Sequence, residues 1–172
     1  ADRVDPVQIF FFIYGILHSE KYRRKFEDFL KIDFPRIPIL RDYRSFIEIS
    51  GLGEKLTAVH LLKDSGLVTP SAKYYGAGTN QVDAIDYRDQ QVFINKDNHF
   101  GPVPEDVYQY TIGGYQVCHK WLKDRKGREL TLDEVQTYCK IVTALEKTIE
   151  IQKQIDEVIE VWGGDESQLY LI

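Results

Sequence analysis

One long helical pattern fills the C-terminal part of the sequence. Thr131 and Glu134 form a capping box, in which a threonine begins a helix and a glutamate three residues later reaches back to it. The apolar residues that follow recur every three or four positions, first at Val135, Tyr138, Val142, Leu145 and Ile149 and then at Ile151, Ile155, Val158, Ile159 and Trp162. The sequence therefore predicts a helix over residues 131–162, which Gly163 and Gly164 end.

The first 62 residues predict three further helices. Asp5 and Pro6 supply an N-cap and a first-turn proline before an apolar stretch. Ser19 can cap a second helix, whose apolar stripe faces away from a basic face. A third helix carries Gly51 and Gly53 in its middle, and both glycines should weaken it.

The stretch between these helical parts, residues 73–117, has a different texture. Five glycines interrupt short runs that are rich in tyrosine, valine and isoleucine. The clearest predicted strands are Gln91 to Asn95 and Tyr108 to Ile112. The sequence therefore predicts an α+β fold with N-terminal helices over 1–62, a small and mostly antiparallel sheet, and a long C-terminal helix.

The charge of the chain is distributed unevenly. The net charge is −5, but residues 131–172 hold nine acidic and only three basic side chains. This balance argues against a protein that coats nucleic acid indiscriminately. The most basic run, net +4 with Asp124 included, comprises Lys120, Lys123, Arg125, Lys126 and Arg128. These side chains can neutralise phosphates, although the spacing alone favours a solvated turn before the capping box.

Polar side chains suited to hydrogen bonding with base edges cluster in the loops of the strand-rich region. They are Asn80, Gln81, Gln91, Asn95, Lys96, Asn98 and His99. Turns and loops favour such residues in any protein, so this pattern alone favours solvated loops.

Little in the sequence suggests catalysis. Glu105, Asp124 and Lys126 match only loosely the pattern with which nucleases hold Mg²⁺ and activate water, and Asp124 belongs to a predicted turn. The four histidines have no metal-ligand spacing with one another or with the cysteines, so packed or surface histidines are expected. The sequence predicts no catalytic residue and no metal site.

Cys118 and Cys139 lie 21 positions apart without a second pair, which favours free thiols in a reducing compartment, and we expect the cytoplasm. No apolar stretch approaches the roughly 20 residues of a membrane-spanning helix. The sequence contains no methionine, so we expect the chain to be a fragment of a longer polypeptide.

Three blocks of sequence, of which the second and third are specific, point to a family. They read Ile-Tyr-Gly-Ile-Leu-His-Ser at 13–19 followed by Tyr22-Arg23, Phe-Leu-Lys-Ile-Asp-Phe-Pro-Arg-Ile-Pro at 29–38, and Gly-Gly-Tyr-Gln-Val at 113–117 followed by Lys-Trp-Leu-Lys-Asp-Arg-Lys-Gly-Arg-Glu-Leu at 120–130. Together they resemble the C-terminal specificity domain of Type ISP restriction-modification enzymes. The resemblance extends from about Asp5 to Trp162.

The resemblance implies that residues 1–172 are one target-recognition domain of a larger enzyme, in which a nuclease, an ATPase and an N6-adenine methyltransferase precede it. It implies duplex DNA and these other domains as partners, no membrane, and no chemistry in the domain itself. S-adenosylmethionine, ATP and Mg²⁺ would then serve the rest of the enzyme. On this interpretation, the loops of residues 73–107 read bases and the basic run binds phosphates.

Two alternatives remain at the level of sequence. The chain would be an interaction module that uses its C-terminal helix to dock on another domain and contacts no DNA, or it would be a Mg²⁺-dependent nuclease. Salt-dependent DNA binding distinguishes the first alternative from target recognition. Metal-dependent cutting distinguishes the second.

Overall fold

A computed structural model describes residues 4–39, 43–161 and 170–171 of the chain. The chain divides into two compact units, of which one joins residues 1–61 with 147–172 and the other comprises residues 62–146. Each unit has a hydrophobic core of its own.

The described residues form α-helices and short β-strands. In chain order, the helices are α1 (Pro6–His18), α2 (Glu20–Lys25), α3 (Glu27–Leu30), α4 (Tyr43–His60), α5 (Glu105–Tyr108), α6 (Val117–Lys123) and α7 (Leu132–Val161). The strands are β1 (Pro38–Ile39), β2 (Lys73–Tyr75), β3 (Asp86–Arg88), β4 (Gln91–Phe93), β5 (His99–Gly101), β6 (Thr111–Ile112), β7 (Tyr115–Gln116) and β8 (Tyr170–Leu171). These elements confirm the predicted α+β fold and its long C-terminal helix, while Trp162, Gly163 and Gly164 lie outside the described residues.

The predicted helix caps are present. The Asp5 carboxylate accepts a hydrogen bond from the Val7 amide at 2.9 Å at the start of α1, and the Ser19 hydroxyl accepts one from the Tyr22 amide at 3.0 Å at the start of α2. The predicted second helix is interrupted at Phe26, which separates α2 from α3. At α7, the Thr131 hydroxyl and the Glu134 carboxylate form the capping box, with distances of 3.2 and 3.1 Å.

The core of the first unit lies where α1 and α4 meet. Phe12, Ile16, Tyr22 and Ile49 are buried together there. Gly53 is required at this crossing, because a Cβ atom built on it would lie 1.9 Å from the carbonyl oxygen of Phe11. The glycine that weakens α4 as an isolated helix is thus the residue that lets the two helices approach closely.

The core of the second unit lies under a four-stranded antiparallel sheet with the strand order β2-β5-β4-β3. Its inner face carries Tyr74, Phe100, Val92 and Tyr87, side by side across the strands. Phe100 is fully buried and contacts the Tyr138 ring of α7, with 4.3 Å between ring centroids. The first turns of the capped helix therefore pack against the sheet.

One predicted strand is confirmed in part and the other is largely wrong. Gln91 to Asn95 contains β4, whereas the predicted strand Tyr108 to Ile112 contains only β6 at its end. Tyr108 instead ends the helical turn α5. Acidic residues in the first turn favour a helix N-terminus, and the consecutive residues Val107 and Tyr108 are both buried, which the alternating faces of a strand do not favour.

Both cysteines are free, as predicted, and both are buried. Burial raises the pKa of the Cys118 thiol to about 12 and that of Cys139 to about 11, so both remain protonated at neutral pH. None of the helices in the described part of the chain has the length and apolar character needed to cross a bilayer.

Candidate nucleic-acid interface

The outer face of the four-stranded sheet carries a row of rings that ends in an ion pair. Strand register places Tyr75 beside His99, His99 beside Phe93, and Phe93 beside Asp86. The Tyr75 and His99 rings stack with 5.3 Å between centroids, and His99 lies 4.8 Å from Phe93. The Arg88 guanidinium carbon lies 4.1 Å from the Phe93 centroid. We call Tyr75, His99, Phe93, Arg88 and Asp86 the outer row.

The outer row is accessible to a ligand. Tyr75 is 46% exposed, and the side chains of Arg88 and Asp86 are each 58% exposed. A guanidinium nitrogen of Arg88 lies 3.3 Å from a carboxylate oxygen of Asp86. A cation packed on an aromatic face loses part of its conformational freedom before any ligand arrives. The outer row thus presents an arginine whose side-chain conformation is partly fixed, next to a carboxylate.

A tight turn joins β3 to β4 at the edge of this face. The two turn residues, Asp89 and Gln90, have positive φ angles of 51° and 57°, as two-residue hairpins of the favoured kind require. Arg88 and Gln91 face each other across the strands directly before and after the turn. The turn therefore places these two residues at the tip of the hairpin that forms the edge of the sheet.

Seven side chains were predicted to contact base edges, and we call them the predicted base readers. Three of them hold loops together. Asn98 is 1% exposed, accepts a hydrogen bond from the Gly78 amide at 3.0 Å and donates one to the Tyr74 hydroxyl at 2.7 Å. The Asn95 amide donates to the carbonyls of Thr79 and Gln81, both at 2.9 Å. The Asn80 side chain accepts from the Tyr74 hydroxyl at 3.0 Å and donates to the Leu130 carbonyl at 3.4 Å.

The other four predicted base readers are placed where a ligand can reach them. His99 belongs to the outer row, and Gln91 lies on the same face at the hairpin tip. Lys96 and Gln81 lie in loops, and the side chains of Gln81, Gln91 and Lys96 make no hydrogen bond to another described residue. The polar groups of these three side chains are therefore available to solvent or to a ligand.

Sequence reasoning missed Tyr75, Asp86, Arg88 and Phe93. A signal for part of this set was present, because Asp86-Tyr87-Arg88 alternates polar and apolar residues before the polar pair Asp89-Gln90. The alternation predicts an exposed face for Asp86 and Arg88. Their placement beside Phe93 requires the strand register, which the alternation alone does not specify.

The basic run after α6 is partly neutralised by the protein itself. Glu134 accepts hydrogen bonds from the guanidinium groups of Arg125 at 3.0 Å and Arg128 at 2.6 Å. The bond from Arg128, with a backbone bond from Thr131, lowers the pKa of Glu134 to about 2. Arg125 also packs on Trp121, 3.6 Å from the ring centroid.

The lysines of the basic run divide into two groups. Lys120 pairs with Asp124. Lys123 and Lys126 are exposed, and neither ammonium group has an ion-pair partner within the described ranges. These two lysines are therefore the members of the basic run most readily available to phosphates.

The structure does not gather the residues of the weak nuclease pattern into a metal centre. Glu105 begins α5, whereas Asp124 follows α6 and pairs with Lys120. Across residues 4–39, 43–161 and 170–171, no three His, Cys, Asp or Glu side chains form a group that could hold a metal ion. Two histidines are packed against one another, His18 and His60, and His60 Nδ1 lies 2.7 Å from the Tyr14 hydroxyl.

The sequence matches the Type ISP C-terminal specificity domain over residues 1–154. The chain belongs to this family, as the three sequence blocks indicated. No curated protein matches the sequence.

Three solved structures share the fold of the chain. A nuclease-deletion mutant of the Type ISP restriction-modification enzyme LlaGI, in complex with a DNA substrate mimic, has 20% identity and a TM-score of 0.61, and the match covers 94% of this chain and 14% of that one. The ATP-dependent Type ISP enzyme LlaBIII bound to DNA has 14% identity and a TM-score of 0.65, with 91% and 11% covered. The DrdV–DNA complex has 19% identity and a TM-score of 0.65, with 90% and 18% covered. The chain thus spans less than a fifth of the length of each of these proteins.

Proposed function

We propose that this chain reads the sequence of duplex DNA as the target-recognition domain of a restriction-modification enzyme. The observation that carries the proposal is membership of a specificity-domain family together with an exposed sheet face that offers hydrogen-bonding side chains. The LlaGI, LlaBIII and DrdV structures are complexes with DNA or a DNA mimic, which supports the same ligand for this chain.

The proposal divides the work between two surfaces. Base reading belongs to residues 73–107, where the outer row, Gln91 and Lys96 are at least partly exposed, while Lys123 and Lys126 bind phosphates. Phosphate contacts set the register on the duplex, and contacts to base edges specify its sequence. The domain itself carries out no reaction, and S-adenosylmethionine, ATP and Mg²⁺ serve other parts of the enzyme.

We further propose that the domain positions a methyltransferase of the same polypeptide, in the cytoplasm. The block at 29–38, which marks the family, contains Ile32 and Phe34, and these apolar side chains are 84% and 86% exposed. A segment shared by the family cannot encode target sequences that differ between its members. Exposed apolar side chains in such a segment suit a contact with another protein domain.

Replacing Lys123 and Lys126 together by alanine is expected to weaken binding to all duplexes by a similar factor. Each lost phosphate contact reduces the slope of log K against log salt by about 0.9, so the double variant should lose roughly 1.8 from the slope. Titration of duplex DNA at several salt concentrations measures this change.

The matched control is the double variant Lys55→Ala and Lys153→Ala, which removes the same charge from two exposed lysines of the first unit. It should leave the salt slope unchanged. If the unchanged chain does not bind duplex DNA at low salt, the proposed function is contradicted. A changed sequence preference in the Lys123 and Lys126 variant would mean that these lysines read bases.

A further inference from the structure

Asp86 and Arg88 are the pair in the outer row whose hydrogen-bond donors and acceptors best match the edge of one base pair. We propose that these two side chains together read a G·C base pair in the major groove, with Arg88 on the guanine and Asp86 on the cytosine. This inference rests on the proposed function and specifies what the sheet recognises.

The chemistry of the pair complements that base pair. Guanine presents two acceptors in the major groove, N7 and O6, and its cytosine partner presents the N4 amino donor beside them. The arginine fork can donate to N7 and O6 together, and a carboxylate can accept from the N4 amino group. Because the two side chains lie in contact at 3.3 Å, donors and acceptor lie next to each other as the base-pair edge requires.

The geometry of the hairpin suits entry into the groove. Strand β3 is the last strand in the order β2-β5-β4-β3, and it is joined to β4 by the two-residue turn. The major groove of B-form DNA, which is about 12 Å wide, admits a two-stranded β-ribbon, and β3 and β4 form a hairpin of two strands at the edge of the four-stranded sheet. Asp86 and Arg88 both lie on the exposed face of this edge hairpin, and the Arg88 guanidinium group packs on the Phe93 ring.

The surrounding charge favours base edges over phosphates as the ligand. Three further aspartates, Asp83, Asp89 and Asp97, and one lysine, Lys96, lie in the turn and loops around the hairpin and are exposed, so carboxylates still outnumber cations there. Carboxylates repel phosphates, so this surface is poorly suited to binding the DNA backbone. Carboxylates are, however, suitable acceptors for the amino groups of bases. An exposed ion pair also adds little to stability, so stability alone gives no reason for this one.

The test is selection of bound duplexes from a random library by the 172-residue chain, followed by sequencing. The unchanged chain should select a sequence with at least one invariant G·C pair. In the Arg88→Ala variant, that position should lose about 5-fold to 150-fold of its preference while the other positions keep theirs. Arg88→Lys, which keeps the charge but not the fork, should relax the same position, and so should Asp86→Asn.

Arg24→Ala is the matched control, because Arg24 is also an exposed arginine paired with a carboxylate, that of Glu20 at 3.0 Å. It should leave the selected sequence unchanged. Melting curves establish that each variant is folded. Folded Arg88 variants that select the original sequence would overturn the inference and leave the proposed function standing, as would a uniform loss of binding to all duplexes. An unchanged chain that selects no sequence would contradict both.

Discussion

Replacing Gly53 by alanine is expected to lower the free energy of unfolding of the first unit by about 3 kcal/mol or more. The added Cβ would lie 1.9 Å from the carbonyl oxygen and 2.8 Å from the carbonyl carbon of Phe11. These are backbone atoms of α1, so they cannot rotate away as the end of a side chain would. The helices must separate, which loosens the packing of Phe12 and Ile49. Urea unfolding followed by circular dichroism measures the loss.

Gly51→Ala provides the control, since the two glycines lie in the same helix and differ in their surroundings. A Cβ atom at Gly51 would meet nothing within 4 Å. Alanine is favoured over glycine inside a helix by about 1 kcal/mol, so this variant should be more stable than the unchanged protein. Equal stabilities of the two variants would contradict the close approach of α1 and α4 at Gly53.

Replacing Asn98 by alanine is expected to cost about 2–4 kcal/mol of stability in the second unit. The change removes a buried amide and leaves the Gly78 amide and the Tyr74 hydroxyl without their bonds to it. Each of these part-buried hydrogen bonds contributes about 0.5–1.5 kcal/mol, and truncating the buried Asn98 side chain also removes its packing. Thermal and urea unfolding, followed by near-ultraviolet circular dichroism of the aromatic residues, measure the loss.

Gln91→Ala is the comparison for Asn98, because both residues belong to the predicted base readers. The Gln91 side chain makes no hydrogen bond to another described residue, and its loss should change stability by less than about 0.5 kcal/mol. An Asn98→Ala variant as stable as Gln91→Ala would show that Asn98 does not hold the loops. If Asn98→Ala is instead destabilised, any reduced DNA discrimination in that variant follows from the altered loop structure.

The features that the sequence predicted well depend on neighbours along the chain. The caps at Asp5, Ser19 and Thr131 and the periodic stripe of α7 need only residues within one or two turns. The specific family blocks add the identification, because they combine segments from most of the chain. The α+β fold follows from the order of these local patterns.

The features that the sequence did not predict depend on residues that meet only after folding. The stacking of Arg88 on Phe93 follows from the register of β3 and β4, and a shift by one residue would place them on opposite faces. Asn95 and Asn98 are polar loop residues whether their side chains face solvent or hydrogen-bond to the backbone of neighbouring loops. Composition therefore does not distinguish these two roles. Glu134 illustrates both cases, because its capping contact with Thr131 was predicted and its bonds to Arg125 and Arg128 were not.

The most direct test of base reading by the sheet is to exchange residues 73–107 for the corresponding segment of a Type ISP specificity domain that selects another sequence. The hybrid and the unchanged chain are each used to select duplexes from the same random library. If the outer row and its loops make the base contacts, as proposed, we expect the folded hybrid to select the sequence of the segment's donor. A folded hybrid that still selects the sequence of the unchanged chain would contradict this assignment and place base reading in residues 113–128 or on the basic face of α2.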